Sequence, residues 1–186
     1  FQLLSERSSH TIPSPISSNP TSSVPLFGQD PIFISTSTRL IANAQVVRVV
    51  DGDTVVVRRF GQLRDEKVRM IGINTPESVD PRRTVECFGK EASAVLRTWL
   101  DGKEVYLVED LQADEQDKYH RLLRNVFLPE GTDVNATLVA QGYAQAYTNF
   151  PMNKSRKQQL VRLQQEAKMH QRGLWDLRVC NGKKKR

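Results

Sequence analysis

At 186 residues the chain has room for one domain with an appended segment. Its 38% hydrophobic and 26% charged content is ordinary globular composition, which excludes collagen-like, coiled-coil and wholly disordered classes, and it holds no apolar run of about 18 residues that would span a membrane. Two cysteines exclude a disulfide framework and a four-cysteine zinc site, while the formal charge of +6 favours anionic partners without naming one. Four of those charges sit in Lys183-Lys184-Lys185-Arg186, and residues 1–40 are balanced, so residues 41–182 carry 21 basic against 19 acidic side chains. A basic end of this kind is ordinarily a solvated terminus, so function has to be read from particular residues.

Residues 1–40 hold ten Ser, four Thr and five of the nine Pro. Ser14-Pro15, Asn19-Pro20 and Val24-Pro25 interrupt helix and strand alike, because proline lacks a donor and restricts the residue before it. The segment reads as a disordered Ser/Thr/Pro-rich stalk, unable to bury enough surface to offset its ordering entropy. The chain begins with Phe1; a processed leader ahead of such a stalk predicts an extracellular or cell-envelope location, and an arbitrary start is the plainer alternative. From Ile41 the texture changes to a domain expected over residues 41–178, followed by a basic tail over 179–186.

Gln45–Val50 and Thr54–Val57 are rich in β-branched residues and are separated by Asp51-Gly52-Asp53, a turn signal. Lys67–Ile73 reads as a third strand. Glu86–Leu100 places Phe88, Ala92, Val95, Leu96 and Trp99 at helical spacing, and Asp101-Gly102 stops that helix. Val105–Val108 and Leu122–Leu128 read as two more strands. Thr132 or Asp133 caps a short helix over Val134–Gln141. A long helix follows over Lys154–Gln171, with Leu160, Leu163 and Ala167 inward and five Lys/Arg against one Glu giving a basic outer face. The fold class is α+β: five short strands with a helix after the third close into an OB-type barrel carrying three helices, an architecture that hosts many functions.

Three stretches carry candidate chemistry. In Asp51-Gly52-Asp53-Thr54, two carboxylates two residues apart emerge at a strand junction, as a hard cation requires; a solvated hairpin turn is the plainer reading. In Val68–Glu77, strand alternation puts Arg69 on one face with Ile71 and Ile73, where a guanidinium needs water, an acid or an anion; snorkelling at a barrel rim explains it equally. Pro76 holds Thr75 extended, which presents the Thr75 carbonyl and the Glu77 carboxylate at a strand end. In Asp117-Lys118-Tyr119-His120-Arg121, Lys, Tyr and Arg are donors for phosphate oxygens, though any one of them alone reads as a hydrophilic loop.

Together the stretches change the weighting. Val50-Asp51-Gly52-Asp53-Thr54, Arg69 with Asn74-Thr75-Pro76-Glu77, Phe88-Gly89-Lys90-Glu91-Ala92, Asp117-Lys118-Tyr119 with Arg121, and Gly173-Leu174-Trp175 occur in order, and over residues 43–176 the sequence resembles the thermonuclease (staphylococcal nuclease-like) family. The resemblance implies a calcium-dependent nuclease hydrolysing phosphodiester bonds of DNA and RNA and leaving 3′-phosphate ends. Asp53 matches a calcium-ligand aspartate, Asp51 its close neighbour, and Thr75 a backbone-carbonyl ligand. Arg69 and Arg121 match the catalytic arginines and Glu77 the general base. Lys118 and Tyr119 match positions that contact the terminal phosphate, and Tyr147 falls near an aromatic that stacks on a base. DNA and RNA are the expected substrates, single strands favoured, and the chain is expected to act as a monomer.

Two positions depart from the family pattern. Asn74 stands where the type member has a calcium-binding aspartate, so the site loses one negative charge and calcium affinity falls. His120 replaces the glycine that usually precedes the second arginine. The alternative to an enzyme is a non-catalytic member of the same fold that binds nucleic acid or protein; such domains typically lose the arginines or the glutamate, and this chain keeps all three. Cys87 and Cys180 either form one disulfide tying down the C-terminal segment or remain thiols, and the compartment decides between them.

Overall fold

β-Branched stretches and glycine-bearing turns make the barrel wall. The computed structural model describes residues 40–82 and 84–183; the stalk expected over residues 1–40 falls almost wholly outside them, as do Arg83 and residues 184–186. The strands are β1 (Ala44–Asp51), β2 (Thr54–Arg59), β3 (Asp65–Met70), β4 (Ile73–Asn74), β5 (Glu104–Val108), β6 (Leu122–Phe127) and β7 (Gln145–Ala146). The helices are α1 (Gly89–Leu100), α2 (Val134–Ala140) and α3 (Lys154–Met169), followed by a 3-10 turn at Gly173–Trp175. Five strands close a barrel in the order β1-β2-β3-β6-β5, and β4 pairs with β7 as a separate two-stranded piece. This is the expected OB-type barrel. Among the described residues, no helix is long and apolar enough to cross a membrane.

Closure depends on bending β1. Its register against β2 shifts between Val46 and Arg48 and again between Val49 and Asp51, and such irregularities sharpen strand twist. The backbone N–H of Val49, at the second irregularity, donates to Asp101 Oδ1 at 3.2 Å, so the residue that ends α1 also satisfies the bent strand. β3 and β6 run parallel, Val68 opposite Leu122, while β1 and β5 close the ring antiparallel, Ala44 opposite Val105. Val46, Val55, Val57, Val68, Met70 and Val126 fill the interior, and Leu96 and Leu100 of α1 join the same core.

α2 is buried along its whole length, with Asp133 capping it by accepting from the Ala136 N–H at 3.0 Å. Its Asn135 accepts from the Val126 N–H and donates to the Ile71 carbonyl, both at 2.9 Å, which joins α2 to β6 and to the β3–β4 link without leaving a buried amide unmatched. α3 turns Leu160, Leu163 and Ala167 inward as expected. Arg156 is not on its basic outer face: its guanidinium turns inward and pairs with the buried Asp133.

The third strand is shorter than the sequence suggests. It stops at Met70, and Gly72 takes φ +75° before β4 begins. The break cancels the expected alternation: Ile71 and Ile73 are buried, while the Arg69 side chain lines a surface cleft. α1 starts at Gly89 rather than Glu86, because Phe88 adopts φ +70°, which a helical turn does not permit.

Candidate active site

Four segments meet at one mouth of the barrel. The end of β1 and the β1–β2 turn supply Asp51 and Asp53, the end of β3 supplies Arg69, β4 and the loop after it supply Asn74, Thr75 and Glu77, and the β5–β6 loop supplies Tyr119 and Arg121. They line a cleft of about 550 Å³ that also receives Lys67, Asp80, Arg82 and Glu86. Gly52 makes the convergence possible: a Cβ there would lie 2.9 Å from the Thr75 side chain, so only glycine lets the acidic turn close on Thr75.

Asp53 is the hub. Its Oδ2 accepts from the Thr75 N–H at 3.0 Å and lies 3.0 Å from Arg69 Nη2, and its Oδ1 accepts from Thr54 Oγ1 at 3.0 Å. Arg69 also donates through Nη1 to the Met70 carbonyl at 2.6 Å. Arg121 reaches the same ground from the other side. Its Nη1 is 3.4 Å from Thr54 Oγ1, and Nε and Nη2 contact Asp117 Oδ2 at 2.7 and 2.6 Å. Burial acts to raise the Asp117 pKa, but the Arg121 guanidinium and the N–H groups of Arg121 and Tyr119 outweigh it and hold the carboxyl below its usual range.

His120 has φ +57°, the left-handed conformation that glycine adopts freely and that histidine tolerates better than most residues. Asp117 Oδ1 secures that bend by accepting the N–H groups of Tyr119 and Arg121 at 2.9 and 3.0 Å.

The remaining carboxyls are crowded. Asp51 Oδ1 accepts from Gly52 N–H at 2.8 Å, Ser78 Oγ at 2.6 Å and Ser93 Oγ at 2.8 Å. Burial pushes its pKa up despite those donors, and the neighbouring Asp53 charge adds to the rise. Burial also acts to raise Glu77, but the N–H groups of Val79, Asp80 and Ser78 and a hydrogen bond shared with Asp51 hold it below the usual range.

A hard divalent ion suits this arrangement, because the Asp51 and Asp53 carboxyls, the Asn74 amide and the Thr75 backbone carbonyl give an all-oxygen donor set, and a cation relieves the repulsion between the two carboxylates. Among the described residues, no three His, Cys, Asp or Glu side chains form a metal-holding group by themselves, so Asn74, the Thr75 carbonyl and water would have to complete a shell around Asp53.

A second cleft of about 560 Å³ adjoins the first and shares Arg69, Tyr119 and Arg121 with it. Lys118 and Tyr147 line it, with Phe150 packed edge-on against Tyr147 at 5.4 Å between ring centroids. The Tyr119 ring lies 5.1 Å from Lys118 Nζ and 5.4 Å from the Arg121 guanidinium carbon. Every residue read from the sequence as catalytic, metal-holding or substrate-binding therefore lies at one of two adjoining clefts, while His120 and the two cysteines do not line either. Phe150, Lys67, Ser78 and Ser93 were not singled out, and only the aromatic character of Phe150 near Tyr147 was visible as a signal.

A closed five-stranded barrel with three helices and a mouth lined by carboxylates and guanidiniums places the chain in the OB-type class of folds. Within that class, residues 67–177 match the family described as "Staphylococcal nuclease homologue". The chain is 35% identical over 145 residues to the Thermonuclease of Staphylococcus intermedius, which covers 77% of this chain and 83% of that protein. It is 36% identical over 132 residues to the Thermonuclease of Staphylococcus hyicus, covering 70% and 74% respectively. It is also 34% identical over 137 residues to Endonuclease YhcR of Bacillus subtilis (strain 168), covering 70% of this chain but 11% of that larger protein. The chain belongs to the staphylococcal nuclease family.

Proposed function

We propose that the chain is a calcium-dependent nuclease that hydrolyses phosphodiester bonds of DNA and RNA and leaves 3′-phosphate ends. The observation that carries this reading is the joint placement of Asp53, Arg69, Glu77 and Arg121 around one cleft. Arg69 and Arg121 donate to the non-bridging oxygens of the scissile phosphate, where charge accumulates as phosphorus becomes five-coordinate. To do so each must exchange a present acceptor, Asp53 or Asp117, for phosphate oxygen. Glu77, ionised because its own loop donates three N–H groups to it, takes a proton from the attacking water. Asp53, Asn74, the Thr75 carbonyl and Asp51 would hold calcium, which when bound offsets the developing phosphoryl charge.

Lys118 and Tyr119 grip the phosphate at the chain end, and Tyr147 with Phe150 offers a wall for unpaired bases, which favours single strands. The Cys87–Cys180 disulfide supports an oxidising location, outside the cell or in its envelope. There calcium is abundant enough for a site that carries Asn74 in place of a third acidic ligand.

Digestion of plasmid and single-stranded DNA with calcium, with EDTA, and by Glu77→Gln tests the mechanism. Cleavage is expected with calcium, none with EDTA, and a loss of roughly 10²–10⁴-fold on removing the base. Cleavage that survives both EDTA and Glu77→Gln rejects it.

A further inference from the structure

The loop that carries Glu77 leaves β4 and returns to α1, and its two ends meet at a narrow neck. Glu86 N–H donates to the Glu77 carbonyl at 2.8 Å, and Glu77 N–H donates back to Glu86 Oε2 at 3.1 Å. Gly89 presses on the same point: a Cβ there would fall 2.6 Å from the Glu77 carbonyl oxygen. Within the loop, Glu77 Oε1 receives the N–H groups of Ser78, Val79 and Asp80 at 3.0, 2.9 and 3.0 Å. The loop thus aims the carboxylate together with Asp51, and the neck closes the loop on itself while Ser78 ties it to Asp51.

Cys87 follows Glu86 immediately and is bonded to Cys180, 93 residues away. Cys180 sits in a fixed frame. Its N–H donates to the Asp176 carbonyl at 3.2 Å, Gly182 N–H donates to Leu174 at 2.8 Å, and Leu174 N–H donates to Gly142 at 2.9 Å, just past α2. Both cysteines are buried with Leu174, Phe88 and Trp175 in a small cluster separate from the main core. Phe88 extends that cluster by stacking on Tyr143 at 5.5 Å. Neither cysteine lines the cleft, and the shortest covalent route from the bond to Glu77 runs through Glu86 at the neck.

We propose that the Cys87–Cys180 disulfide, acting through Glu86, positions the Glu77 carboxylate, so that losing the bond slows turnover while leaving substrate binding in place. The proposal rests on the reading of Glu77 as the base. Arg69 is on β3, Arg121 on the β5–β6 loop, and Tyr147 and Phe150 on the chain between β7 and α3, so none of these substrate-facing side chains is carried by the neck. A shift of the base by about 1 Å is enough to cost up to 10²-fold in rate.

The test compares the wild-type protein with the Cys87→Ser/Cys180→Ser double variant, Glu86→Ala and Glu86→Gln. Steady-state hydrolysis of a single-stranded oligonucleotide is measured below the unfolding temperature of each, together with amide exchange of residues 78–80. The double variant and Glu86→Ala are expected to lose roughly tenfold or more in kcat with KM nearly unchanged, and Glu86→Gln to stay near wild type because its side-chain oxygen still accepts the Glu77 N–H. Exchange at Ser78, Val79 and Asp80 should quicken in the two impaired proteins while the barrel strands stay protected. Unchanged kcat in a folded double variant overturns the proposal, as does a loss accompanied by exposure of the barrel. Should the double variant not fold, the Glu86 pair decides, and wild-type kcat in Glu86→Ala overturns the proposal. An inactive wild-type protein would instead sink the nuclease reading, and the exchange comparison still tests the neck.

Discussion

The Arg121 guanidinium makes two short contacts with Asp117 and a longer one with Thr54, and Arg69 divides its donors between Asp53 and a backbone carbonyl. Each arginine is therefore held in place by an acceptor that a phosphate can replace, and the planar fork lets two oxygens be engaged at once. Replacing Arg69 or Arg121 by lysine should lower kcat by roughly 10²–10³-fold, equivalent to about 3–4 kcal/mol of transition-state stabilisation, measured on an oligonucleotide under saturating calcium. Asp117 adds a pH signature to stability. Its folded pKa is lowered, so it stabilises the fold above the usual carboxylate range and that contribution is lost as pH falls through the lowered value. The stability gap between wild type and Asp117→Asn should therefore be full near neutral pH and shrink below about pH 4 in urea titrations. A gap that widens on acidification would contradict the assignment.

Elements place these residues, and some were legible in the sequence because their geometry is local. Asp51-Gly52-Asp53 is a turn by composition alone, and Pro76 constrains Thr75 whatever surrounds it. The inward faces of α1 and α3 follow from spacing. What escaped depends on distant partners. Strands β4 and β7 have two residues each and gain their identity only by pairing with one another. The left-handed Phe88 is held by contacts with Tyr143, and the inward turn of Arg156 by Asp133, which lies 23 positions earlier. Ser78 and Ser93 converge on Asp51 from different elements, so no spacing rule could find them. The break after β3 is a testable case. At Gly72 the chain has φ +75°, and a Cβ would meet Leu160 Cδ1 at 2.5 Å and Met152 Cε at 2.8 Å. Gly72→Ala should cost about 1–3 kcal/mol in unfolding free energy by strain and overpacking. It should also shift the position of Arg69, which lies three residues before.

At the scale of the molecule, the disulfide joins the start of α1 to the segment beyond the last turn, enclosing most of the domain. Reducing it should cost about 2–5 kcal/mol of stability, read as a lower urea midpoint with dithiothreitol present. Charge is a second global property. Lys154, Lys157, Arg162 and Lys168 are exposed along α3, and the chain carries a formal +6. Substrate affinity should therefore weaken with added salt, and neutralising those four side chains should flatten that dependence without changing kcat at saturation.

In the proposed mechanism three carboxyls and two guanidiniums act on one phosphate with calcium among them. A calcium titration of the initial hydrolysis rate, run on a chelator-treated protein with an end-defined single-stranded oligonucleotide, tests it most directly. The expected result is a rate that rises from zero to a plateau with calcium and products ending in 3′-phosphate. A rate independent of calcium, or products ending in 3′-hydroxyl, would contradict it.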